Sequence, residues 1–414
     1  MKSTNLFIAI ALFCLQTSFA QWVEQNSNTT QDFWGVSFIN EDIGYAGGGP
    51  WQFTSSCKVA RTIDGGDNWE VITPFASNSC IFGITALNSE TIFAVGCNAA
   101  TSYYGLILKS TDGGDNWIVT NKTNTYGFYC VEFPINEIGY TCGWNGRIYK
   151  TIDSGDSWSL TNGTGSQVFR RMSIVNENLG FAACGNDHAS TNRIYKTTDG
   201  QNWAVIKYFN DFIIGGMHFF DENTGIIVGT SNSIAAVRRT TDGGQNWSDI
   251  PFDNYSFVLE SLHFDGQNGW TAGKYGSNEG IFKTTDGGQT WSLDHEDFSG
   301  IPYGIFQFEN SVYSVGTGGM ILKKNLSLNT DSMNNVKTTV NIFPNPVENS
   351  LNITIQNDVV INAVKLYDIQ GKLLLEENNK FEQLDISHLS SGVLFVRIEM
   401  KNGTITEKLI KKSL

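Results

Sequence analysis

The chain has 414 residues, 16% of them charged and 13% aromatic, with 43 glycines, seven prolines and a formal net charge of −14. That length and apolar share are enough for a large core and exclude a disordered or collagen-like chain. Residues 336–414 hold nine basic and nine acidic side chains, so the excess acid falls on the region before them, which without Lys2 has 17 basic against 32 acidic side chains. A surface of that sign argues against nucleic acid and anionic membranes as partners.

Residues 1–20 read as a signal peptide. Lys2 provides the basic start, Leu6 to Leu15 an apolar run, and Ser18-Phe19-Ala20 a cleavage site of small-x-small type. The run is too short to span a bilayer, and no later stretch is long enough, so no transmembrane segment is expected. Cys14 raises the alternative of a lipid anchor, against which stands the bulky Phe13 before it.

Six near-identical phrases follow: RTIDGGDNW at 61–69, KSTDGGDNW at 109–117, KTIDSGDSW at 150–158, KTTDGQNW at 196–203, RTTDGGQNW at 239–247 and KTTDGGQTW at 283–291. Their tryptophans recur every 41 to 48 residues, a period that means one small sheet per repeat arranged radially. The third repeat serves as template. Val131 and Phe133 alternate on an inner strand, and Gly143 closes the second strand where an unusual backbone angle is expected. Asp153 caps its own tight turn, and Trp158 packs between neighbouring sheets. The same structural roles are assigned to Asp64, Trp69, Asp112, Trp117, Asp199, Trp203, Asp242, Trp247, Asp286 and Trp291.

Hairpins begin near Trp34, Phe82, Tyr129, Arg170, Gly215, Glu260 and Gly304, which makes seven blades. The seventh has no phrase and no tryptophan strand of its own. Gln21-Trp22-Val23-Glu24 matches the missing strand, so the ring closes with the mature N-terminus and leaves no open sheet ends. The expected fold is all-β: a seven-bladed β-propeller over 21–324 with N-terminal strand closure. Six cysteines follow the leader. Hairpin spacing makes Cys80–Cys97 and Cys130–Cys142 candidate disulfides, while Cys57 and Cys184 stay open between pairing and buried thiols.

The repeated phrase resembles the Asp-box, or bacterial neuraminidase repeat. Seven such blades on an exported chain resemble the photosystem II stability/assembly factor family, through the box and an I/L-G-Y/F-x-x-G hairpin over 22–324. The resemblance implies a propeller with the boxes on the rim. Photosynthetic members are expected to hold their client with an Arg-rich face, whereas this propeller is acidic, so the photosystem role does not transfer.

Residues 325–340 are polar and aperiodic, a linker. From 341 to 414, alternating positions such as Val364, Leu366 and Val393, Phe395 predict a small immunoglobulin-like β-sandwich. Phe343-Pro344-Asn345-Pro346, Leu366-Tyr367-Asp368 with Gly371-Lys372, Ser391-Gly392-Val393 and Lys408-Leu409-Ile410-Lys411-Lys412 resemble the C-terminal sorting domain of the type IX secretion system. That resemblance implies the type IX machinery as partner. It also implies passage through the periplasm, removal of the tail, and a secreted or outer-surface location.

Chemistry is harder to find. A sialidase needs three clamping arginines, and once scaffold positions are set aside only Arg170 and Arg171 remain. A secreted glycoside hydrolase is the alternative to a binding scaffold, and needs two carboxylates about 5–10 Å apart. The face opposite the boxes offers Asp32, Asp187, Asp211, Asp253, Glu260, Asp294, Glu296 and Asp297. Asp294-His295-Glu296-Asp297 and Asp187-His188 lack the spacing of zinc or calcium motifs and read as solvated loops; no metal or cofactor is expected. The same face carries Trp34, Trp51, Phe53, Phe82, Tyr103, Tyr104, Tyr126, Tyr129, Trp144, Tyr208, Tyr255 and Tyr275, flat platforms suited to a glycan or protein ligand. Trp34, Phe82, Tyr129, Arg170 and Glu260 occupy equivalent inner-strand starts and are expected to ring the pore mouth of a monomeric, non-catalytic scaffold.

Overall fold

The computed structural model describes residues 21–75, 78–99, 103–123, 127–162, 167–184, 192–252, 255–275, 278–326, 340–355, 361–368, 372–377, 381, 383–400 and 403–412. The chain divides into two compact units, residues 1–326 and 327–414. In the first, seven antiparallel sheets of four strands follow one another along the chain. Six are built in sequence order, over 33–72, 79–123, 128–160, 169–209, 212–250 and 259–295. The seventh joins three strands within 302–325 to Trp22–Glu24.

Each repeated phrase forms the turn into an outer strand. At the first, Thr62 Oγ1 donates to Asp64 Oδ1 at 2.9 Å, and that same oxygen accepts the Asn68 N–H at 2.9 Å. Asp64 Oδ2 takes the Asn68 side-chain amide at 2.8 Å. The set recurs at Asp112, Asp153, Asp199, Asp242 and Asp286. Donors aimed at a carboxylate favour its charged form. The Ser157 hydroxyl and N–H hold Asp153 at about 2, and the Asn246 main-chain and side-chain N–H groups do the same for Asp242. Gly65 and Gly66 sit at φ 68° and 94°, where a side chain would be strained.

Every phrase tryptophan packs on the preceding blade. Trp158 joins Phe93, Val95 and Ile107 of blade two, and Trp203 joins Tyr140, Cys142 and Ile148 of blade three. Trp69 lies against Tyr313, Val315 and Ile321 of blade seven. Trp22 fills the seventh such place, against Trp270, Ala272 and Ile281 of blade six. Its strand pairs Trp22 with Lys324, and its indole N–H donates to Asp294 Oδ2 at 2.8 Å. Lys324 Nζ binds that oxygen at 2.6 Å, and Lys283 Nζ binds Oδ1 at 2.9 Å. The Asp294 side chain is only 4% exposed, so the expectation of a solvated acid there is corrected. It is the counter-ion of the ring closure.

Two further expectations are corrected. Gly143 is extended, at φ −171°, so no unusual angle calls for glycine. The requirement is space: a Cβ there would run into the Gly127 carbonyl oxygen, as one at Gly48 would meet that of Asp32. The cysteine pairs do face each other, Cys80 opposite Cys97 and Cys130 opposite Cys142. All six are nevertheless free thiols. The Cys130 and Cys142 sulfurs are 2.9 Å apart, against about 2.05 Å for a disulfide bond. The Cys80 thiol turns instead to the Gly49 carbonyl at 3.3 Å.

The second unit contains a three-stranded sheet (Val340–Phe343, Ser350–Ile355, Gln383–Asp385) and a four-stranded one (Leu373–Glu377, Ile361–Asp368, Gly392–Met400, Gly403–Lys411). Leu351, Ile353 and Leu384 of the first share one apolar core with Val364, Leu366, Val396 and Ile398 of the second. This is a small β-sandwich.

Candidate functional site

One backbone irregularity builds the site. The inner strand of every blade carries a β-bulge, and the extra residue falls at the same place in all seven. Pairing runs Phe33 to Gly48, then Gly35 to Gly47, skipping Trp34. The skipped residues of blades two to seven are Phe82, Tyr129, Arg170, Gly215, Glu260 and Tyr303. A bulged residue leaves the ladder, and its side chain is re-aimed. Here Trp34, Phe82, Tyr129, Arg170, Glu260 and Tyr303 line one cavity of about 430 Å³ at an end of the channel. The five residues read from the sequence as ringing the mouth are therefore brought together. The seventh blade contributes Tyr303, not its neighbour Gly304.

Asp32, Trp51 and Arg171 complete the lining. Trp34 stacks on Tyr303 with ring centroids 4.1 Å apart, and touches Trp51 at 5.5 Å and Phe82 at 5.6 Å. Phe82 continues to Tyr129 at 4.9 Å, and the Arg170 guanidinium lies 5.5 Å from the Tyr129 ring centre. One side of the mouth is thus an unbroken aromatic wall from blades seven, one, two and three. The opposite side is polar.

Arg171 separates mouth from channel. Its Nε donates to the Gly215 carbonyl, Nη1 to that of Arg170 at 3.1 Å, and Nη2 to that of Glu260 at 2.7 Å. The guanidinium therefore crosses from blade four to the bulges of blades five and six. Burial holds it below the usual arginine value, while Glu260 favours its charge. Blade five has glycine at its bulge because a Cβ on Gly215 would meet the Leu259 carbonyl. Among the described residues three of the five N–H groups of Arg171 are used, on these carbonyls, and two remain for a ligand oxygen.

The channel below, about 390 Å³, is lined by inner strands of all seven blades and contains Glu132, His218 and His263. Burial pushes Glu132 up to about 7, against one opposing bond from the Ile174 N–H at 2.9 Å. Burial likewise pushes His218 and His263 down to about 4, so both are neutral at pH 7.

Other sequence candidates disperse. Asp211 pairs with Arg238 at 2.7 Å, and Glu296 and Asp297 are exposed. Tyr104 lies under Lys122, Tyr208 beside Arg193, and Tyr255 packs against Phe257 and Phe282. Phe53, Tyr103 and Trp144 join Trp51 and Phe82 around a neighbouring hollow. Asp187, His188, Asp253, Tyr126 and the side chain of Tyr275 lie outside the described residues. Among the described residues no group of three or more His, Cys, Asp or Glu is placed to hold a metal ion, and no helix is long and apolar enough to cross a membrane.

Two family models match the sequence: a secretion system C-terminal sorting domain at residues 341–412, and the photosynthesis system II assembly factor YCF48 at 195–338. The propeller is thus similar to the YCF48 family over residues 195–338, and the tail matches the sorting domain over 341–412. The tail marks the chain for export to the cell surface or beyond. Among solved structures, YCF48 bound to a D1 peptide is similar with a TM-score of 0.60 at 20% identity, covering 76% of this chain and 98% of that one. YCF48 from Cyanidioschyzon merolae gives 0.57 at 18%, covering 74% and 99%. PorZ, a surface component of the type IX secretion system of Porphyromonas gingivalis, gives 0.51 at 13%, covering 92% of this chain and 60% of PorZ. At such identities the likeness is of fold. Comparison of the sequence with curated proteins returns no match.

Proposed function

We propose that the protein is an exported, non-catalytic binding scaffold that holds an extracellular glycan or protein at the channel mouth. One observation carries this reading: seven equivalent bulges turn four aromatic rings, an arginine and a glutamate into a single cavity floored by Arg171. Aromatic walls with a few placed polar groups are what ligand sites are made of. That YCF48 is seen with a D1 peptide bound supports a ligand-holding use of this fold.

The cavity also holds two carboxylates, Asp32 and Glu260, which is the observation favouring a glycoside hydrolase. Against it, Asp32 Oδ1 is occupied by the Gly318 N–H at 2.9 Å, and Glu260 lies within the field of Arg171. The test is a glycan array and polysaccharide panel on the purified protein, read for binding and for new reducing ends. Binding without release, lost in Trp34→Ala, is the expected outcome. Reducing ends that vanish in Glu260→Ala would overturn the scaffold reading.

A further inference from the structure

The mouth does not stop at its rim. Beside it lies a hollow of about 460 Å³, walled by Trp51, Phe53, Phe82, Tyr103 and Trp144, with the Gln52 amide as its polar side chain. Trp51 and Phe82 line both spaces, so the two are continuous. The wall is locally built. Phe53 donates its N–H to the Pro50 carbonyl at 2.9 Å, closing a turn that carries Trp51 near its tip. Phe53 itself adopts φ +53°, rare for a bulky residue, and packs against Phe82 and Tyr103 with centroids 6.5 and 5.8 Å apart. Trp51 and Tyr103 remain 46% and 52% exposed, so each keeps surface for a ligand.

The geometry selects the ligand's chemistry. Trp34, Trp51 and Phe82 stand 5.5–5.6 Å from one another, already in mutual contact. Nothing inserts between rings at that spacing, so they do not form the cage that envelops a quaternary ammonium group. They form a wall, which takes a molecule with a flat apolar face and a polar edge. Charge gives a second limit. The mouth balances Arg170 and Arg171 against Asp32 and Glu260, and among the described residues the outer hollow is lined by no charged side chain. Main-chain supply gives a third. Trp51, Phe53, Tyr103 and Trp144 sit in turns or at strand ends, and Phe82 and Cys97 lie in strands already paired within their blade, so among the described residues no free strand edge runs along the hollow to pair with an extended peptide.

A pyranose chain meets all three conditions. Its C–H faces lie on the rings while its hydroxyls reach Gln52 in the outer hollow and the paired charges and spare Arg171 N–H groups in the mouth. We propose that mouth and hollow are adjoining subsites for one neutral oligosaccharide of at least two pyranose units, an inference that rests on the binding-scaffold reading and narrows it.

Calorimetry on the full mature chain tests this with named probes. These are neutral β-1,4-linked gluco-, manno- and N-acetylchito-oligosaccharides of two to six units, oligogalacturonates of the same lengths, and a panel of twelve-residue peptides. The expected result is a neutral series whose affinity rises about ten-fold from two to four units. Tyr103→Ala, at an exposed ring of the outer hollow, should cost the tetrasaccharide about ten-fold and leave the disaccharide unchanged. Trp34→Ala should weaken both, and unchanged melting curves show that each variant is folded. Affinity independent of length, an indifferent Tyr103→Ala, or failure of every neutral series overturns the proposal. If peptides or oligogalacturonates bind instead and depend on Trp34, the mouth reading stands and the glycan falls; if no probe depends on Trp34, both fall.

Discussion

Glu132 offers the sharpest quantitative test of how the channel is built. Its carboxyl faces the channel with one hydrogen bond, and burial raises it from an ordinary 4.5 to about 7. An acid whose folded value lies above its unfolded one binds its proton more tightly when folded. Stability is therefore greatest below about 4.5 and is lost as pH rises through 7. A rise of that size corresponds to about 3 kcal/mol at pH 8, and about 2 once water in the channel is allowed to solvate the anion. Glu132→Gln keeps the shape and an acceptor for Ile174 but cannot ionise. The variant should match wild type at pH 4 and exceed it by about 2 kcal/mol at pH 8, with the gap opening between. Urea unfolding followed by tryptophan fluorescence reads this without interference, because all 11 tryptophans lie between residues 22 and 291 and none in the tail. A gap that is flat with pH, or a variant weaker at pH 8, would refute the argument that Glu132 is a buried, poorly compensated acid.

Three further outcomes follow from the fold. Trp22→Ala removes a side chain 5% exposed and breaks the Asp294 bond, so unfolding free energy should drop by about 3–5 kcal/mol in urea titration; a loss under 1 would mean the closing strand is dispensable. Gly215→Ala drives a Cβ into the Leu259 carbonyl and should destabilise by about 3 kcal/mol or more, or prevent folding, by thermal melting; wild-type melting would show that blade five has room. Asp242 is held at about 2, so its contribution is present above 3.8 and lost as pH falls toward 2. Asp242→Asn should accordingly be less stable than wild type at pH 7 and indistinguishable at pH 2, and a gap that persists at pH 2 would contradict this.

Much of this was legible because repetition amplifies weak signals. Six Asp–Trp phrases and the recurring hairpin located the blades, and equivalence between repeats put Trp34, Phe82, Tyr129, Arg170 and Glu260 on one ring. The misses have physical causes. Tyr303 was passed over because Gly304 marks the hairpin, while the bulge falls one residue earlier. Arg171 was grouped with Arg170 but given no place, since strict alternation sends neighbours to opposite faces; the bulge breaks that parity, and both reach the same cavity. Asp294 looked like a solvated loop acid because its partner Trp22 is 272 residues away. Gly143 was assigned an angle when its constraint is a collision, visible only once the inner strand is beside it. The sulfur pairs show the limit from the other side: spacing places two cysteines opposite each other but does not decide whether they are bonded.

The seven bulges also bear on how such a protein changes over time. A residue that sits outside the hydrogen-bonded ladder can be exchanged without disturbing the pairing on either side of it. The ring already shows the range this allows, with tryptophan, phenylalanine, two tyrosines, arginine, glutamate and glycine at one structural address. Recognition and folding are thereby written in separate alphabets. The rim phrases must stay nearly fixed to hold the blades, while six positions at the mouth, all but Gly215 with its close neighbour Leu259, are free to drift toward a new ligand one substitution at a time.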